Sequence, residues 1–279
     1  MENNGMLYLC ATPIGNLEDI TLRVLRTLES VDVIYCEDTR NSLKLLRHYE
    51  INKPLQSFHD FSSDAQLAKI VQAVADGKEV ALISDAGMPG ISDPGYALVN
   101  AFQEAHLPYT VLPGASASVT ALVLSGLPSD RFSFEGFLPR KNKDLDQRLQ
   151  LLDQATAPTI IYESPHRLAK TLETFAKRWP ERALVATREI SKKFEEVVRG
   201  TTESVLAHFE EHPIRGEFVL ILGEATTTPQ TEEDIFAAAL AHAQALVAEG
   251  ESVNQAAKDA AKKYQCQKRT LYQALLTDS

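Results

Sequence analysis

Four short segments concentrate residue types that can grip a polar small molecule. "ATPIGNLEDIT" (Ala11–Thr21), "CEDTR" (Cys36–Arg40), "ISDAGMPGISDPG" (Ile83–Gly95) and "LPGASAS" (Leu112–Ser118) each mix small residues with polar ones. Glycine lets a backbone approach a ligand closely. Carboxylates and hydroxyls accept hydrogen bonds from hydroxyl and ammonium groups. Such a set suits a polar, partly adenosine-like molecule. The chain has no GxxxxGK[ST] and no GxGxxG after a strand-like run, which argues against a P-loop phosphate cradle and a dinucleotide fingerprint. Asp85 and Asp93 could ligate Mg²⁺, but two carboxylates in a glycine- and proline-rich turn more often shape the turn. No metal is expected.

Each segment follows a short apolar run. "MLYLCA" (6–11), "VDVIYCE" (31–37), "EVALIS" (79–84) and "PYTVLP" (108–113) read as strands. Helical spacing fills the intervals 21–30, 43–49, 65–76 and 93–105. Strands interleaved with helices imply a mostly parallel sheet covered on both faces, and ligands then bind beyond the carboxyl ends of the strands. Turn residues cluster in "SGLPSDR" (125–131), and a second α/β set follows. Its strands are 132–137, 159–163, 183–189 and 217–223, with an edge strand or hairpin at 194–200. Its helices are 143–152, 166–179 and 202–211. After a linker the chain reads as helix at 232–248, 253–264 and 269–276, the last two resembling a helix-turn-helix. Three parts are therefore expected: 1–125, 126–224 and 231–279.

The 279 residues carry a net charge of −10, a sign that repels nucleic acid globally but leaves local basic patches open. The cysteines are three in number and far apart, without a CxxC, which points to a reduced cytoplasmic protein. No apolar run is long enough for a membrane span, and no leader is expected.

Seven motifs stand in order between Ala11 and Glu196: "ATPIGNLEDIT", "CEDTR", "SDAGMPGISDPG", "PGASA", "GFLPRK", "YESPHR" and "TREISKKFEE". Together they resemble the tetrapyrrole methylase superfamily, and within it the ribosomal RNA small subunit methyltransferase I family, which 2′-O-methylates a cytidine in the decoding region of 16S rRNA. The resemblance implies two α/β domains with S-adenosylmethionine in the cleft between them, a small helical C-terminal domain, and a homodimer. It places cofactor contacts at Pro13, Ser84, Asp85, Ala86, Gly87, Ile91, Ser116, Ala117 and Tyr162. Tetrapyrrole-acting relatives usually read G-D-P where this chain reads Ser84-Asp85-Ala86.

Removal of the proton from a ribose hydroxyl needs a base within hydrogen-bond reach. Asp38, Glu163 and Glu189 each lie near a strand end, and the sequence does not choose among them. Local basic clusters could be solvated helix faces, and the resemblance favours RNA contacts instead, with no DNA partner expected: Arg40; Arg140, Lys141 and Lys143; Lys192 and Lys193; Lys262, Lys263, Lys268 and Arg269, the last four in a tail that could instead complete the dimer. The expected partner is 16S rRNA, within the small ribosomal subunit. Two other readings remain open: a small-molecule methyltransferase acting on a tetrapyrrole-type ring, and a non-catalytic RNA-binding assembly protein.

Overall fold

The structure is a computed structural model that describes residues 5–59, 63–93, 95–225, 232–248, 251–264 and 266–277. The chain divides into two compact units, residues 1–225 and 226–279. The first holds two five-stranded sheets.

The first sheet is built from β1 (Leu7–Cys10), β2 (Val33–Cys36), β3 (Leu55–Ser57), β4 (Val80–Ile83) and β5 (Tyr109–Leu112), in the order β3-β2-β4-β1-β5. All of its pairings are parallel. β2 and β4 are buried at every position, as a sheet covered on both faces requires. Alternate strand residues feed two cores. Leu7, Leu9, Val80 and Leu82 pack against Ile70 and Val74 of α3 (Asp64–Ala75) and against Leu98 and Phe102 of α4 (Tyr96–Glu104). Ile34, Cys36, Ala81 and Ile83 pack against Val24 and Leu28 of α1 (Leu22–Ser30) and Leu46 of α2 (Thr39–His48). Each fully buried Leu or Phe contributes roughly 1.5–3 kcal/mol.

Local signals set the helix ends. Thr21 caps α1 by accepting from the Val24 N–H at 3.1 Å. α2 begins four residues before the expected Leu43, because Asp38 accepts from the Arg40 N–H at 2.8 Å and starts the helix ahead of its apolar stripe. The edge strand β3 has no apolar run to announce it. After the loop that follows β5, Ser116 stands at the N-cap of α5 (Ala117–Ser125), which ends at Gly126 in the left-handed conformation (φ 73°).

The second sheet is mixed. It contains β6 (Ser133–Phe137), β7 (Thr159–Glu163), β8 (Ala183–Arg188), β9 (Glu196–Thr201) and β10 (Phe218–Leu222), in the order β6-β7-β10-β8-β9. Only β6 and β7 run parallel. One face is covered by α6 (Asn142–Leu152), α7 (Pro165–Arg178) and α8 (Thr202–Glu211), through residues such as Leu149, Leu172, Phe175 and Phe209. The opposite face presents Ile160, Val185, Val219 and Ile221 to Ala121 and Leu122 of α5, with Ile14 beside them. Arg199 of β9 donates to the Ser125 and Leu124 carbonyls at the end of α5. α5 is thus the helix through which the two sheets of this unit share a core.

The second unit contains α9 (Glu232–Ala248), α10 (Val253–Tyr264) and α11 (Lys268–Thr277). Alanines 239, 243, 256, 257 and 260 are fully buried between them, with Leu271 and Leu275. Small side chains let these helices approach closely. Among the described residues no helix is long and apolar enough to cross a membrane.

Candidate functional site

The sheet order brings the loops after β4, β1 and β5 side by side. The first two are stitched together. The Thr12 N–H donates to the Gly87 carbonyl at 2.8 Å and the Gly87 N–H returns the bond to the Thr12 carbonyl at 3.0 Å. The Thr12 hydroxyl donates to the Ser84 carbonyl (3.1 Å) and the Ser84 hydroxyl to the Gly87 carbonyl (3.0 Å). Gly87 sits at φ +81°, where a side chain would be strained. The first loop also closes on the second sheet. A Cβ at Gly15 would lie 2.9 Å from the Ile190 carbonyl oxygen, and the Ser191 hydroxyl donates to Asp19.

Between the two sheets opens a cleft of about 330 Å³. Ala86, Gly87, Met88, Ile91, Ser92 and Asp93 of the β4 loop form one wall, with Ser116 and Ala117 at the start of α5. Phe137, Tyr162, Glu163, Ile190, Glu217 and Val219 form the other. The size and the mostly apolar walls with a few polar groups are those of a small-molecule site. Tyr162 is held edge-on by Phe134 (5.1 Å between centroids) and Phe137 (5.7 Å). Burial pushes its hydroxyl above the ordinary phenol range, against an opposing hydrogen bond with Ser118, so it remains protonated.

Of the expected cofactor residues, Ala86, Gly87, Ile91, Ser116, Ala117 and Tyr162 line the cleft. Pro13 and Ser84 are buried behind it, where the Ser84 hydroxyl braces the loop. Asp85 turns elsewhere. Its carboxylate accepts from the Asp38 N–H (3.1 Å) and from the Asn41 amide (2.9 Å), so it anchors the start of α2 and does not line the cleft.

The three expected bases are all engaged. Asp38 lies outside the cleft in a bidentate pair with Arg40, whose side-chain and backbone hydrogen bonds hold the carboxyl down at about 2. Glu163 lies in the cleft wall, but its side chain is fully buried. One oxygen accepts from the Ser164 N–H (2.8 Å) and the other from the Thr171 hydroxyl (2.6 Å), with Arg167 at 3.6 Å. Burial works against ionisation of Glu189, but hydrogen bonds from the Glu217 N–H and from Lys192 outweigh it and lower its pKa. Lys192 bridges Glu189 (3.0 Å) and Glu217 (2.8 Å).

The cationic residues divide in the same way. Arg40 pairs with Asp38, and Lys192 pairs with Glu189 and Glu217. Arg140, Lys141 and Lys143 are exposed around the start of α6, and Lys193 lies over the Phe194 ring at 5.6 Å. In the helical unit Lys262, Lys263, Lys268 and Arg269 are exposed, Lys263 lying near Tyr264 (5.5 Å) and His242 (3.4 Å).

Sequence reasoning did not select Glu217 or Met88 as cleft residues. Glu217 reaches the wall because Phe218 of β10 pairs with Glu163 of β7, an adjacency that only the sheet order creates. Among the described residues no group of three or more His, Cys, Asp or Glu side chains is arranged to hold a metal ion.

Comparison with known proteins agrees with this geometry. Residues 6–206 match the family of tetrapyrrole (corrin/porphyrin) methylases. The chain is 43% identical to the ribosomal RNA small subunit methyltransferase I of Synechocystis sp., covering 98% of each chain. It is 41% identical to the protein of that name from Bacillus subtilis, covering 97% of this chain and 94% of the other. Among solved structures it resembles diphthine synthase (TM-score 0.61, 13% identity, 79% of this chain and 90% of the other). It also resembles uroporphyrin-III-C-methyltransferase from Thermus thermophilus (TM-score 0.54, 22% identity, 79% and 95%), and these two likenesses speak for the fold. A doubly covered parallel sheet joined through α5 to a mixed sheet, with the cleft between them, and near-full-length identity above 40% to two relatives place the chain in the tetrapyrrole methylase family, in its ribosomal RNA small subunit methyltransferase I branch.

Proposed function

We propose that the chain transfers a methyl group from S-adenosylmethionine to the 2′-hydroxyl of a cytidine in the decoding region of small-subunit rRNA. The observation that carries this is the cleft itself, formed by the loops in which the family motifs fall and retained in a chain so similar to relatives named for rRNA methylation. The lining fits the cofactor. Ile14, Met88, Ala117 and Val219 offer apolar surface, Ser92 and Ser116 offer hydroxyls, and Asp93 is a carboxylate suited to a ribose or ammonium group. When bound, S-adenosylmethionine supplies a methyl group already activated on a sulfonium sulfur.

The protein's own residues then position and exclude. The Thr12–Gly87 bridge holds the β4 loop in shape before ligand arrives, which lowers the ordering cost of binding. Tyr162, packed between Phe134 and Phe137, keeps water from that wall. Glu163 accepts from the Ser164 N–H ahead of α7 and from the Thr171 hydroxyl in its middle, and so orients that helix. Glu217 is different. It lies at the cleft, its side chain is 75% exposed, and Lys192 holds it in place, so it is the group assigned to take the hydroxyl's proton. The same reading carries a cytoplasmic homodimer acting on the small subunit.

The test is calorimetry with S-adenosylmethionine, together with methyl transfer to small subunits and to naked 16S rRNA from a strain lacking the gene. Binding, with transfer of one methyl to a cytidine ribose, is expected. Absence of binding at millimolar cofactor would refute both this reading and a tetrapyrrole-type activity. Binding without transfer to either substrate would refute the rRNA assignment alone.

A further inference from the structure

A second cavity, of about 260 Å³, opens beside the first in the same unit. Its floor presents half-buried Leu145 of α6, backed by the buried Leu149 and Phe175, with Asn142, Thr171 and Thr174 as polar lining. Its rim carries three cations, Arg140 before α6 and Arg167 and Lys170 along the start of α7, with His166 between them. No acidic side chain lines it. Arg140, His166 and Lys170 are exposed, and their side chains make no hydrogen bond or ion pair with any described residue. This separates them from Arg40, which pairs with Asp38, and from Lys192, which pairs with Glu189 and Glu217.

The two cavities share a wall. Glu163, Ser164 and Pro165 line the first, and the next residues, His166 and Arg167, line the second. Arg167 donates to the Leu138 carbonyl at 2.9 Å and stands 3.6 Å from Glu163, fixing the rim between them. The apolar surface of Leu145 beside two unmet cations, Arg140 and Lys170, is complementary to one nucleotide of a single strand, with its base on the floor and its phosphates on the rim. It matches neither a free apolar ligand, which has no use for the cations, nor bare phosphate, which has no use for the floor.

We propose that this cavity seats a nucleotide of the RNA substrate that flanks the target residue, with Arg140 and Lys170 contacting its phosphates and Leu145 beneath its base. The proposal rests on the RNA reading above and adds a site outside the cofactor cleft.

The test uses the full chain. Wild type, Arg140→Ala/Lys170→Ala and Lys170→Glu are compared for binding of 16S rRNA, for binding of purified small subunits, and for S-adenosylmethionine affinity by calorimetry. Both altered side chains are exposed, and unchanged cofactor affinity certifies an intact fold; Lys170→Arg supplies the conservative control. The double variant is expected to bind rRNA at least about tenfold more weakly, since a hydrogen bond to a charged group is worth roughly that factor. Its salt slope should fall by about 1.4, the share of two single-strand phosphate contacts. Cofactor affinity should be unchanged, and Lys170→Arg should bind as wild type. Unchanged rRNA affinity and slope would overturn the proposal. A loss confined to intact subunits would also overturn it, because the cavity would then read a ribosomal protein. If wild type binds and the variants lose rRNA affinity but no methyl is transferred, the nucleotide site stands and the catalytic reading fails. If wild type binds no RNA, both fail.

Discussion

Replacing Glu163 by Gln separates a positioning carboxylate from a catalytic one. The side chain is fully buried and meets three groups: the Ser164 N–H at 2.8 Å, the Thr171 hydroxyl at 2.6 Å and the Arg167 guanidinium at 3.6 Å. Glutamine keeps one carbonyl oxygen for the Ser164 N–H. Its amide can donate to Thr171 once the hydroxyl rotates. What disappears is the charge facing Arg167 and the charge assistance of two short bonds, a loss of about 1–3 kcal/mol. In a unit of this size that lowers the melting temperature by roughly 2–4 °C per kcal/mol. Glu163→Ala removes all three contacts and leaves a void, and should cost about 3–5 kcal/mol. Thermal and urea melts read the stability, and single-turnover methyl transfer reads the chemistry. The expected result for Glu163→Gln is a clear loss of stability with the transfer rate within about threefold of wild type, since a proton acceptor would be worth about 10²–10⁴ in rate. Thr171→Val in the same background should be less costly than the sum of the single changes. A transfer rate reduced a hundredfold with stability intact would refute the reasoning and make Glu163 the base.

Glu217→Gln should lower the transfer rate by about 10²-fold or more while sparing cofactor affinity and stability; rapid-quench kinetics beside calorimetry would show this. Asp85→Ala should weaken the anchoring of α2 by about 1 kcal/mol, as for a lost helix cap, and leave S-adenosylmethionine affinity within about twofold, as melts and calorimetry can show. Glu189 has a folded pKa below its ordinary 4.5, so its stabilisation is complete above that value and is lost as the pH falls through the folded one. Glu189→Gln should therefore flatten the acid limb of a melting-temperature profile. Burial pushes the Cys10 thiol up to about 12 and raises that of Cys36 as well, whereas Cys266 is half-buried. Mass spectrometry after native alkylation at pH 8 should find Cys266 modified and the other two intact until the chain is unfolded, because the thiolate is the reactive form.

Much of the architecture is legible residue by residue. The β4 run "VALI" is apolar at every position because both faces of a parallel sheet are covered, and Thr21 and Pro165 announce helix starts through the unpaired N–H groups they accommodate. The glycines and small residues of the β4 loop point to a ligand because Gly87 can hold φ +81° and the backbone can come close. These signals are local, so one segment suffices to read them. The direction of a charged side chain is not local. Asp85 sits in the most ligand-like loop of the chain, yet its carboxylate goes to the amides at the start of α2, which the β2–β4 pairing brings beside it. Glu163 and Glu189 have the residue types of a catalytic group and use them for internal bonding, while Glu217, just before an ordinary apolar strand, is paired with Lys192 yet largely exposed, and reaches the cleft because β10 lies against β7. Composition and spacing therefore identify the family, the strands and the binding loops. Which acids and bases stay available depends on partners distant in sequence, and those partners meet only when the two sheets close on α5.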